Sequence, residues 1–470
     1  MTCQDMTPGL GHDQPAGQAL ELAKWVREAG ERTLHLLSDL TDEQLLGPYI
    51  KTVNPMLWEI GHVAWFQEKW VLRHACGQSA VRPDADRLYD STGVAHTARW
   101  GLPLPTRRET LAYKKEVAAR VLERLDREDL DEDLAYFVRL SVFHEDMHTE
   151  AFTYTRQTLV YPAPRPMNRA EDEAVEWAIP FSTRSTIREA RSSRTLGDAE
   201  VPGGTFLLGA ERGEPFTFDN EKWAHPVEVE PFAIAKVPVT QREFAAFVDE
   251  GGYARRRFWS DGGWRWREAV RAVCPVYWQC TSTDGWERRC FDTWIPLEPD
   301  QPVVHVNWYE ADAYCRWAGR RLPSELEWEV AAAAEPCRGA VELLSGKRRF
   351  PWGDQPPDSR RAHLDWGWGQ EGARCSPIAV NALPEGDSAF GCRQMIGNVW
   401  EWTSSAFQPY PGFAPDPYKE YSQPWFGTHK VLRGGCWATR ARLLRNTWRN
   451  FYQPDRRDVW AGFRTCAATE

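Results

Sequence analysis

The sequence predicts two folded domains, an α-helical bundle followed by an α+β domain of short strands and many turns. Apolar residues recur at helical spacing from about residue 16 to residue 160, with few strand-like runs among them. Three prolines then mark an extended stretch. After residue 200 the pattern changes to short strands and turns, and 19 of the 25 tryptophans lie in this part. A chain of 470 residues has room for two to three domains.

The first domain, residues 16–160, is expected to hold four amphipathic helices joined by loops, which is the pattern of a four-helix bundle. The connection from about residue 76 to residue 106 is long for a bundle, so it is either a functional loop or a crossover. The predicted helices cover residues from 16 to about 40, 55–75, 107–126 and 131–160.

Three further regions complete the predicted organisation. Residues 1–15 are expected to be a disordered N-terminus, residues 161–198 a Pro-rich and polar linker, and residues 199–470 the second domain. The second domain ends in an Arg-rich, strand-like segment from about 431 to 464. Its predicted helices run from Thr240 to Glu250, Asn307 to Gly319 and Ser324 to Ala334.

Composition excludes several classes of protein. The formal net charge of −10 argues against a protein held on nucleic acid by phosphate contacts. Mean hydropathy is −0.57, and no apolar run reaches 18 residues, so we expect no membrane contact. The N-terminus lacks the basic and apolar regions of a signal peptide. The 11 cysteines are scattered without a CxxC pair, which favours a reducing, cytoplasmic setting.

The sharpest local feature is the string His144-Glu-Asp-Met-His148 in the fourth predicted helix. A spacing of four residues puts both imidazoles on one helical face, about one turn apart. His62, in an apolar segment of the second helix, is expected to face the bundle core. Three neutral imidazoles with open coordination positions suit ferrous iron or zinc. We therefore predict a metal site on His62, His144 and His148.

The same string also matches the HExxH pattern of zinc peptidases, in which Glu145 would be the base. Two features disfavour that interpretation. The bundle offers a third inward-facing histidine, and it offers no sheet edge beside which a peptide substrate would lie. Glu145 and Glu150 flank the ligands, and we expect at least one of them to hydrogen-bond a ligand imidazole.

Longer strings carry a resemblance to a known family. The N-terminal half resembles a DinB-type bundle, and the C-terminal half resembles a formylglycine-generating-enzyme (sulfatase-modifying factor) domain, which has a lectin-like fold. The combination covers nearly the whole chain and is similar to the EgtB family. The strings are Phe218-Asp-Asn-Glu221, Pro302-Val-Val-His-Val-Asn-Trp308, Arg321-Leu-Pro-Ser-Glu-Leu-Glu-Trp328, Gly397-Asn-Val-Trp-Glu-Trp402, Arg433-Gly-Gly435 and Ala461-Gly-Phe-Arg464.

The resemblance implies a non-haem iron oxidoreductase. Members of that family use Fe(II) and O₂ to form a carbon–sulfur bond at C2 of the hercynine imidazole. It implies Fe(II) on the three histidines. Formylglycine-generating enzymes use a reactive cysteine pair near the C-terminus. Here Thr439 stands near the position expected for the first of these cysteines, so copper-dependent formylglycine chemistry is not expected.

Departures from the EgtB pattern fall on the side of the sulfur donor. Enzymes that take γ-glutamylcysteine carry Arg-Asn-Trp-Asp late in the chain, whereas this sequence reads Arg449-Asn-Phe-Tyr452. Met147 also stands where Gln is common. The lost Asp is a natural partner for the ammonium group of an amino-acid donor. A neutral sugar donor has no such group and would not need the Asp. The sequence is therefore most similar to SenA, the selenoneine synthase branch, which joins hercynine to a selenosugar.

The resemblance also implies roles for residues of the second domain. Asn450, with Arg449 nearby, is expected to clamp the hercynine carboxylate. Aromatic side chains suit the trimethylammonium group. A tyrosine is thought to deliver a proton, although Phe413 stands at one equivalent place. The proton-donor candidates are Tyr410, Tyr418 and Tyr421, and the substrate-binding candidates are Asn450, Phe451, Tyr452, Arg449, Arg456 and Met147.

Three alternatives remain open from the sequence. The first is an EgtB-type hercynine sulfoxide synthase of ergothioneine biosynthesis that uses γ-glutamylcysteine or cysteine. The second is a glycan- or protein-binding module built on the lectin-like domain, which would not need three inward histidines. The third is a zinc-dependent thiol transferase of the DinB type, which would work without iron or air.

Overall fold

The computed structural model describes residues 15–127, 130–165, 196–281, 285–337, 342–364 and 375–468. Nearly all of the expected N-terminal tail and most of the expected linker lie outside the described residues. The chain forms two compact units, Met1–Thr149 and Glu150–Glu470. The first is helical and the second mixes helices with several small sheets, which confirms the predicted fold class.

Four long helices dominate the described part of the first unit, and they match the four predicted ones. A capping box between Thr106 and Glu109 fixes the start of the third long helix. The second predicted helix changes at Glu68 into a π-helix, Glu68–Ala75, which the apolar period did not reveal. The α-helices are α1 Pro15–Leu37, α2 Asp42–Leu46, α3 Met56–Gln67, α4 Ala85–Tyr89, α5 Arg107–Leu125 and α6 Glu132–Thr158.

The long connection after α3 is a packed segment with local helical structure. It contains α4 and a 3₁₀-helix, His96–Gly101. The indole N–H of Trp58 on α3 donates to the carbonyl oxygen of Leu88 at 2.7 Å. This bond ties the connection back onto α3, and the segment therefore forms part of the surroundings of that helix.

The boundary between the units falls inside α6, directly after Thr149 and so one residue beyond its second histidine. From Glu150 onward, α6 bonds to residues of the second unit. Trp400 donates its indole N–H to the Glu150 carboxylate at 2.7 Å, and Trp460 donates to Thr153 Oγ1 at 2.7 Å. These bonds explain why the compact unit ends before the predicted residue 160.

The second unit is built on two four-stranded sheets with strand orders β1-β4-β15-β8 and β13-β12-β11-β14. Smaller sheets pair β2 with β3, β9 with β10, and β5 with β6 and β7. The strands are β1 Asp198–Val201, β2 Gly204–Leu208, β3 His225–Val229, β4 Phe232–Ala235, β5 Trp278–Thr281, β6 Gly285–Cys290, β7 Thr293–Pro296, β8 Arg320–Arg321, β9 Ala334–Pro336, β10 Leu343–Lys347, β11 Trp400–Ala406, β12 Lys430–Arg433, β13 Asn450–Tyr452, β14 Ala461–Gly462 and β15 Cys466–Ala467.

The three helices predicted in the second unit are present, each behind a side-chain N-cap. Thr240, Asn307 and Ser324 accept the backbone N–H three residues on, as capping boxes require. A fourth helix was not predicted, because its Gly- and Trp-containing sequence lacks a clear apolar period. The helices are α7 Gln241–Asp249, α8 Asp261–Val270, α9 Trp308–Trp317 and α10 Glu325–Ala333.

Buried ion pairs hold the centre of the second unit together. Arg433 donates to Glu325 at 2.8 Å and to Glu329 at 2.6 Å. Arg464 makes a bidentate pair with Glu401 at 2.6 and 2.7 Å. These side chains are almost completely buried, so each charge depends on its partner for stabilisation. Among the described helices, none is both long and apolar enough to cross a bilayer.

Candidate metal centre

Three imidazoles converge inside the first unit. His62 lies on α3, and His144 and His148 lie one turn apart on α6. One ring nitrogen from each can be chosen so that all three atoms lie within 4.8 Å of one another. His62 and His144 are buried, while His148 is half-buried. The structure therefore brings together the three histidines that the sequence predicted as a metal site.

A backbone carbonyl fixes the orientation of the His62 ring. Nδ1 of His62 lies 2.8 Å from the carbonyl oxygen of Tyr89, and because a carbonyl only accepts, Nδ1 carries the proton. This leaves Nε2 with its lone pair toward the cluster. The ring also stacks on Trp58, with centroids 4.7 Å apart.

The close approach of Tyr89 depends on Gly61. A Cβ atom at Gly61 would lie 2.1 Å from a carbon of the Tyr89 ring, which is far inside van der Waals contact. Glycine is therefore required beside His62, because only a hydrogen atom leaves room for the segment that supplies the carbonyl.

The two histidines on α6 have different neighbours. His144 stacks on Phe66 with a centroid distance of 3.7 Å and an angle of 7°. Nδ1 of His148 lies 3.7 Å from Oε1 of Glu59, the same oxygen that accepts a hydrogen bond from Asn54 at 2.7 Å. The sequence analysis missed Glu59. Its position three residues before His62 on the same helix was the available signal.

At least one of Glu145 and Glu150 was expected to hydrogen-bond a ligand imidazole, and the two contacts described here for Glu145 are to other residues. Glu145 accepts from Lys114 Nζ at 2.5 Å and from Thr33 at 2.6 Å, and all three side chains are buried. Because a buried cation holds this carboxylate, Glu145 is a structural partner within the bundle. The base that a zinc peptidase needs is thus engaged elsewhere.

Electrostatics favours neutral imidazoles in this cluster. Burial, followed by the nearby His148, holds the pKa of His62 well below its usual range. Burial, followed by His148 and His62, does the same to the pKa of His144. Neutral imidazole is the form that binds a metal ion. Three imidazole nitrogens, one of them on a ring with a fixed tautomer, fit Fe(II) or Zn(II).

In the second unit, Arg449 is engaged by its own domain. It forms a bidentate pair with Glu325 at 2.6 and 3.0 Å and donates to the carbonyl oxygens of Asn220 and Gln408 at 2.6 and 3.0 Å. Its side chain is about 1% exposed. The expectation that Arg449 lies beside a substrate carboxylate is therefore corrected, because its donors are used to hold the fold.

The three candidate tyrosines lie in different surroundings. Tyr410 is buried beneath the Arg449 guanidinium at 4.1 Å, and its hydroxyl lies 3.3 Å from Glu325. These contacts place it in the buried ion cluster, which corrects the expectation of a catalytic role. Tyr421 is half-buried and stacks on Phe218 at 4.5 Å. Tyr418 is half-buried, with its ring 6.2 Å from that of Tyr421.

The predicted substrate residues on and after β13 form a half-buried group. Phe451 stacks on Phe407 at 4.0 Å. Burial, followed by the negative charge of Glu150, raises the pKa of Tyr452, so its phenol stays protonated. The Arg456 guanidinium lies 5.0 Å from the Tyr452 ring. Met147 is a half-buried residue of α6 in the first unit.

A threonine stands in the region where a formylglycine-generating enzyme would carry reactive thiols. The hydroxyl of Thr439 donates to Glu150 at 2.5 Å and accepts the backbone N–H of Cys436 at 2.9 Å. Burial, followed by Glu150, raises the pKa of the Cys436 thiol well above its usual value. The single cysteine here is thus a protonated thiol beside a carboxylate, which is unfavourable for thiolate chemistry.

Comparison with known proteins is consistent with this architecture. Residues 184–469 match the model of the sulfatase-modifying factor enzyme 1-like domain, and residues 26–152 match that of the DinB superfamily. The hercynine oxygenase of Mycolicibacterium thermoresistibile is 38% identical over 94% of this chain and 94% of its own length. That of Mycolicibacterium smegmatis is 37% identical over 94% and 97%. The formylglycine-generating enzyme of Streptomyces coelicolor is 34% identical over 59% of this chain and 91% of its own length.

Proposed function

The chain belongs to the hercynine oxygenase family, and on that basis we propose that this oxidoreductase is a selenoneine synthase. It would join C2 of the hercynine imidazole to the selenium of a selenosugar, with O₂ as the oxidant. Membership rests on relatives that align over nearly the whole chain. The observation that carries the metal assignment is the cluster of His62, His144 and His148.

The proposed reaction balances with O₂ alone. Hercynine loses the hydrogen at C2, and the donor loses the hydrogen of its Se–H group as the C–Se bond forms. If one oxygen atom is transferred to selenium, the second leaves as water with these two hydrogens. His62, His144 and His148 would hold a ferrous ion, which would supply redox and Lewis-acid chemistry when bound.

Residues of this chain account for the remaining requirements. The Tyr89 carbonyl accepts a hydrogen bond from His62 and so orients that ring before substrates arrive. In the proposal, Asn450 binds the hercynine carboxylate, and Tyr421, with Tyr418 nearby, is the candidate for moving a proton. Phe451, Tyr452 and Met147 are proposed to contact the substrates.

Charge favours a neutral donor over an amino-acid thiol. Arg449 is paired with Glu325, and Arg456 is paired with Asp458 at 2.7 Å through both of its bonds. A donor such as γ-glutamylcysteine carries two carboxylates and an ammonium group. Tyr452 offers an aromatic face and a phenolic O–H, which suit sugar hydroxyls. This pairing supports the selenosugar over the acidic donor.

The alternative is an EgtB-type sulfoxide synthase that takes γ-glutamylcysteine or cysteine. The observation in its favour is the full-length similarity to proteins named hercynine oxygenase. A sulfur atom would then replace selenium at the same step, with the same balance of atoms and electrons.

The deciding experiment reconstitutes the full chain with Fe(II) without air, then adds air, hercynine and one donor at a time. The donors are a selenosugar, its thiosugar analogue, γ-glutamylcysteine and cysteine, and products are identified by mass spectrometry. We expect a selenium-containing hercynine adduct from the selenosugar. A sulfoxide formed mainly from γ-glutamylcysteine or cysteine would favour the alternative, and no O₂-dependent product from any donor would reject both.

Two variants control for the metal. His148→Ala removes a proposed ligand and should abolish both iron binding and product. His74→Ala removes an exposed histidine from the π-helix of the same unit and should retain both. Metal content and far-UV circular dichroism are measured on the same samples, so that loss of the metal can be separated from loss of folding.

A further inference from the structure

The loop after β13 carries an ion pair that the sequence analysis did not foresee. Arg456 Nε donates to Oδ1 of Asp458 at 2.7 Å, and one of its terminal nitrogens donates to Oδ2 at 2.7 Å. This fork-to-fork geometry is the strongest arrangement available to a guanidinium and a carboxylate. The neighbouring Arg457 lies 3.7 Å from the buried carboxylate of Glu310, so both arginines of this loop have an acidic partner.

The environment of the pair strengthens it. The Asp458 side chain is 8% exposed, while that of Arg456 is 18% exposed. Burial disfavours the charged form of Arg456, but the Asp458 carboxylate more than offsets this, so the pKa of Arg456 is raised. The guanidinium is therefore charged, on a side chain that is only partly exposed, and its charge is already neutralised by Asp458.

We propose that Asp458 is a specificity-determining residue, which neutralises Arg456 and so makes the enzyme select a donor without a carboxylate. The inference rests on the proposed function, since it concerns the donor of that same reaction. A carboxylate-bearing donor would have to displace Asp458 from its bidentate partner or leave its own charge unpaired beside another anion. Either outcome penalises the acidic donor, which is how unfavourable contacts create specificity.

A neutral sugar avoids this penalty. Its hydroxyl groups can donate to carboxylate oxygens without breaking the ion pair, because each carboxylate oxygen can accept more than one hydrogen bond. The Tyr452 ring, held beside Arg456, presents a flat apolar face of the kind that packs against sugar C–H groups. In this proposal the preference for a neutral donor depends on Asp458 alone. It requires no additional contact between the protein and the selenium atom.

The test uses the full-length, iron-loaded enzyme and the variant Asp458→Asn. Asparagine keeps the size of the side chain and one accepting oxygen but removes the charge. Binding of γ-glutamylcysteine and of thioglucose is measured by calorimetry without air, and kcat/KM is measured for both in air with hercynine. We expect the affinity for γ-glutamylcysteine, and its kcat/KM relative to that of thioglucose, to rise about tenfold or more, as for a gained hydrogen bond to a charged group.

Two further variants keep the result interpretable. Asp455→Asn makes the same charge change at an exposed residue of the same loop, with no ion pair to Arg456 among the described contacts, and should leave the donor ratio unchanged. Combining Asp458→Asn with Arg456→Gln removes both charges of the ion pair. If the freed guanidinium binds the carboxylate of γ-glutamylcysteine, this double variant should lose the gain in affinity for that donor. This double variant buries no unpaired charge, so it also serves if the single variant folds poorly.

The outcomes separate the inference from the function it rests on. If the wild type makes product with the sugar donors while Asp458→Asn leaves the donor ratio and the γ-glutamylcysteine affinity within about twofold of wild type, the inference is wrong and the function stands. If the wild type makes no product with any donor, the proposed function fails, and the calorimetric comparison still decides whether Asp458 excludes a carboxylate.

Discussion

Gly61→Ala should loosen the metal cluster without touching a ligand. The added Cβ would lie 2.1 and 2.2 Å from two carbons of the Tyr89 ring, where about 3.5 Å is normal. The ring would have to move by more than 1 Å (about 1.3–1.4 Å by this difference), and its residue carries the carbonyl that holds His62. Overpacking of this kind costs about 1–3 kcal/mol. The better helix propensity of alanine returns up to about 1 kcal/mol.

We therefore expect a net loss of about 0–2 kcal/mol in the stability of the first unit, whereas the control variant described below should gain stability. Metal affinity should fall about 10- to 100-fold, the usual result of disturbing a group that orients a ligand. Thermal unfolding of the metal-free protein measures the first effect, and titration with Co(II), followed by its absorption bands, measures the second.

Gly30→Ala is the matched control for Gly61→Ala. Gly30 also lies within a helix, but a Cβ there would be 3.9 Å from its nearest neighbour, the Lys114 side chain. This variant should be more stable than wild type by about 0.5–1 kcal/mol and should bind metal normally. If Gly61→Ala behaves like Gly30→Ala in both assays, the argument that Tyr89 orients His62 is refuted.

Three other predictions follow from buried charges. Lys114→Met leaves the Glu145 carboxylate buried without its cation and should lower the free energy of unfolding by about 3–5 kcal/mol, measured by urea denaturation; a change below 1 kcal/mol would contradict the pairing. Trp400→Phe removes the indole N–H that donates to Glu150 and should lower the free energy of unfolding by about 1.5–3 kcal/mol in the same assay; a change below about 0.5 kcal/mol would contradict this. Burial raises the pKa of Asp219 from 3.8 to about 6, so ionising it costs the folded state about 3 kcal/mol. Stability should fall as pH rises from about 4 to about 6, and Asp219→Asn should flatten that part of the pH–stability curve.

The histidine cluster could be predicted from sequence because much of its geometry is local. Two histidines four residues apart lie on one face of any α-helix, and an apolar segment predicts that His62 faces a core. The group that orients His62 could not be predicted in the same way. The Tyr89 carbonyl belongs to a distant connection, and every residue has a carbonyl, so its role depends on the tertiary path of the chain.

The helices were also more predictable than the sheets. Capping boxes and apolar periods gave the starts of α7, α9 and α10, because both signals depend on residues a few positions apart. The sheet order β13-β12-β11-β14 joins strands from Trp400 to Gly462, and its parallel pair depends on contacts between residues far apart in sequence. Short strands with irregular turns carry too little local pattern to specify such pairings.

Arginines illustrate why a motif alone overstates a binding site. Arg449 and Arg456 lie seven residues apart in a segment that the resemblance connects with substrate, yet one is buried and the other is partly exposed. Sequence reasoning treats Arg449 as a free cation because its partner, Glu325, lies more than a hundred residues away. Arg456 has its partner, Asp458, only two residues away, but whether the two side chains meet depends on the path of the loop. An arginine can bind a ligand only if some of its N–H donors are unpaired. Its position in a sequence motif does not decide this. By that criterion neither arginine offers an uncompensated charge to an anionic donor, and a change at Asp458 is the more direct way to create one.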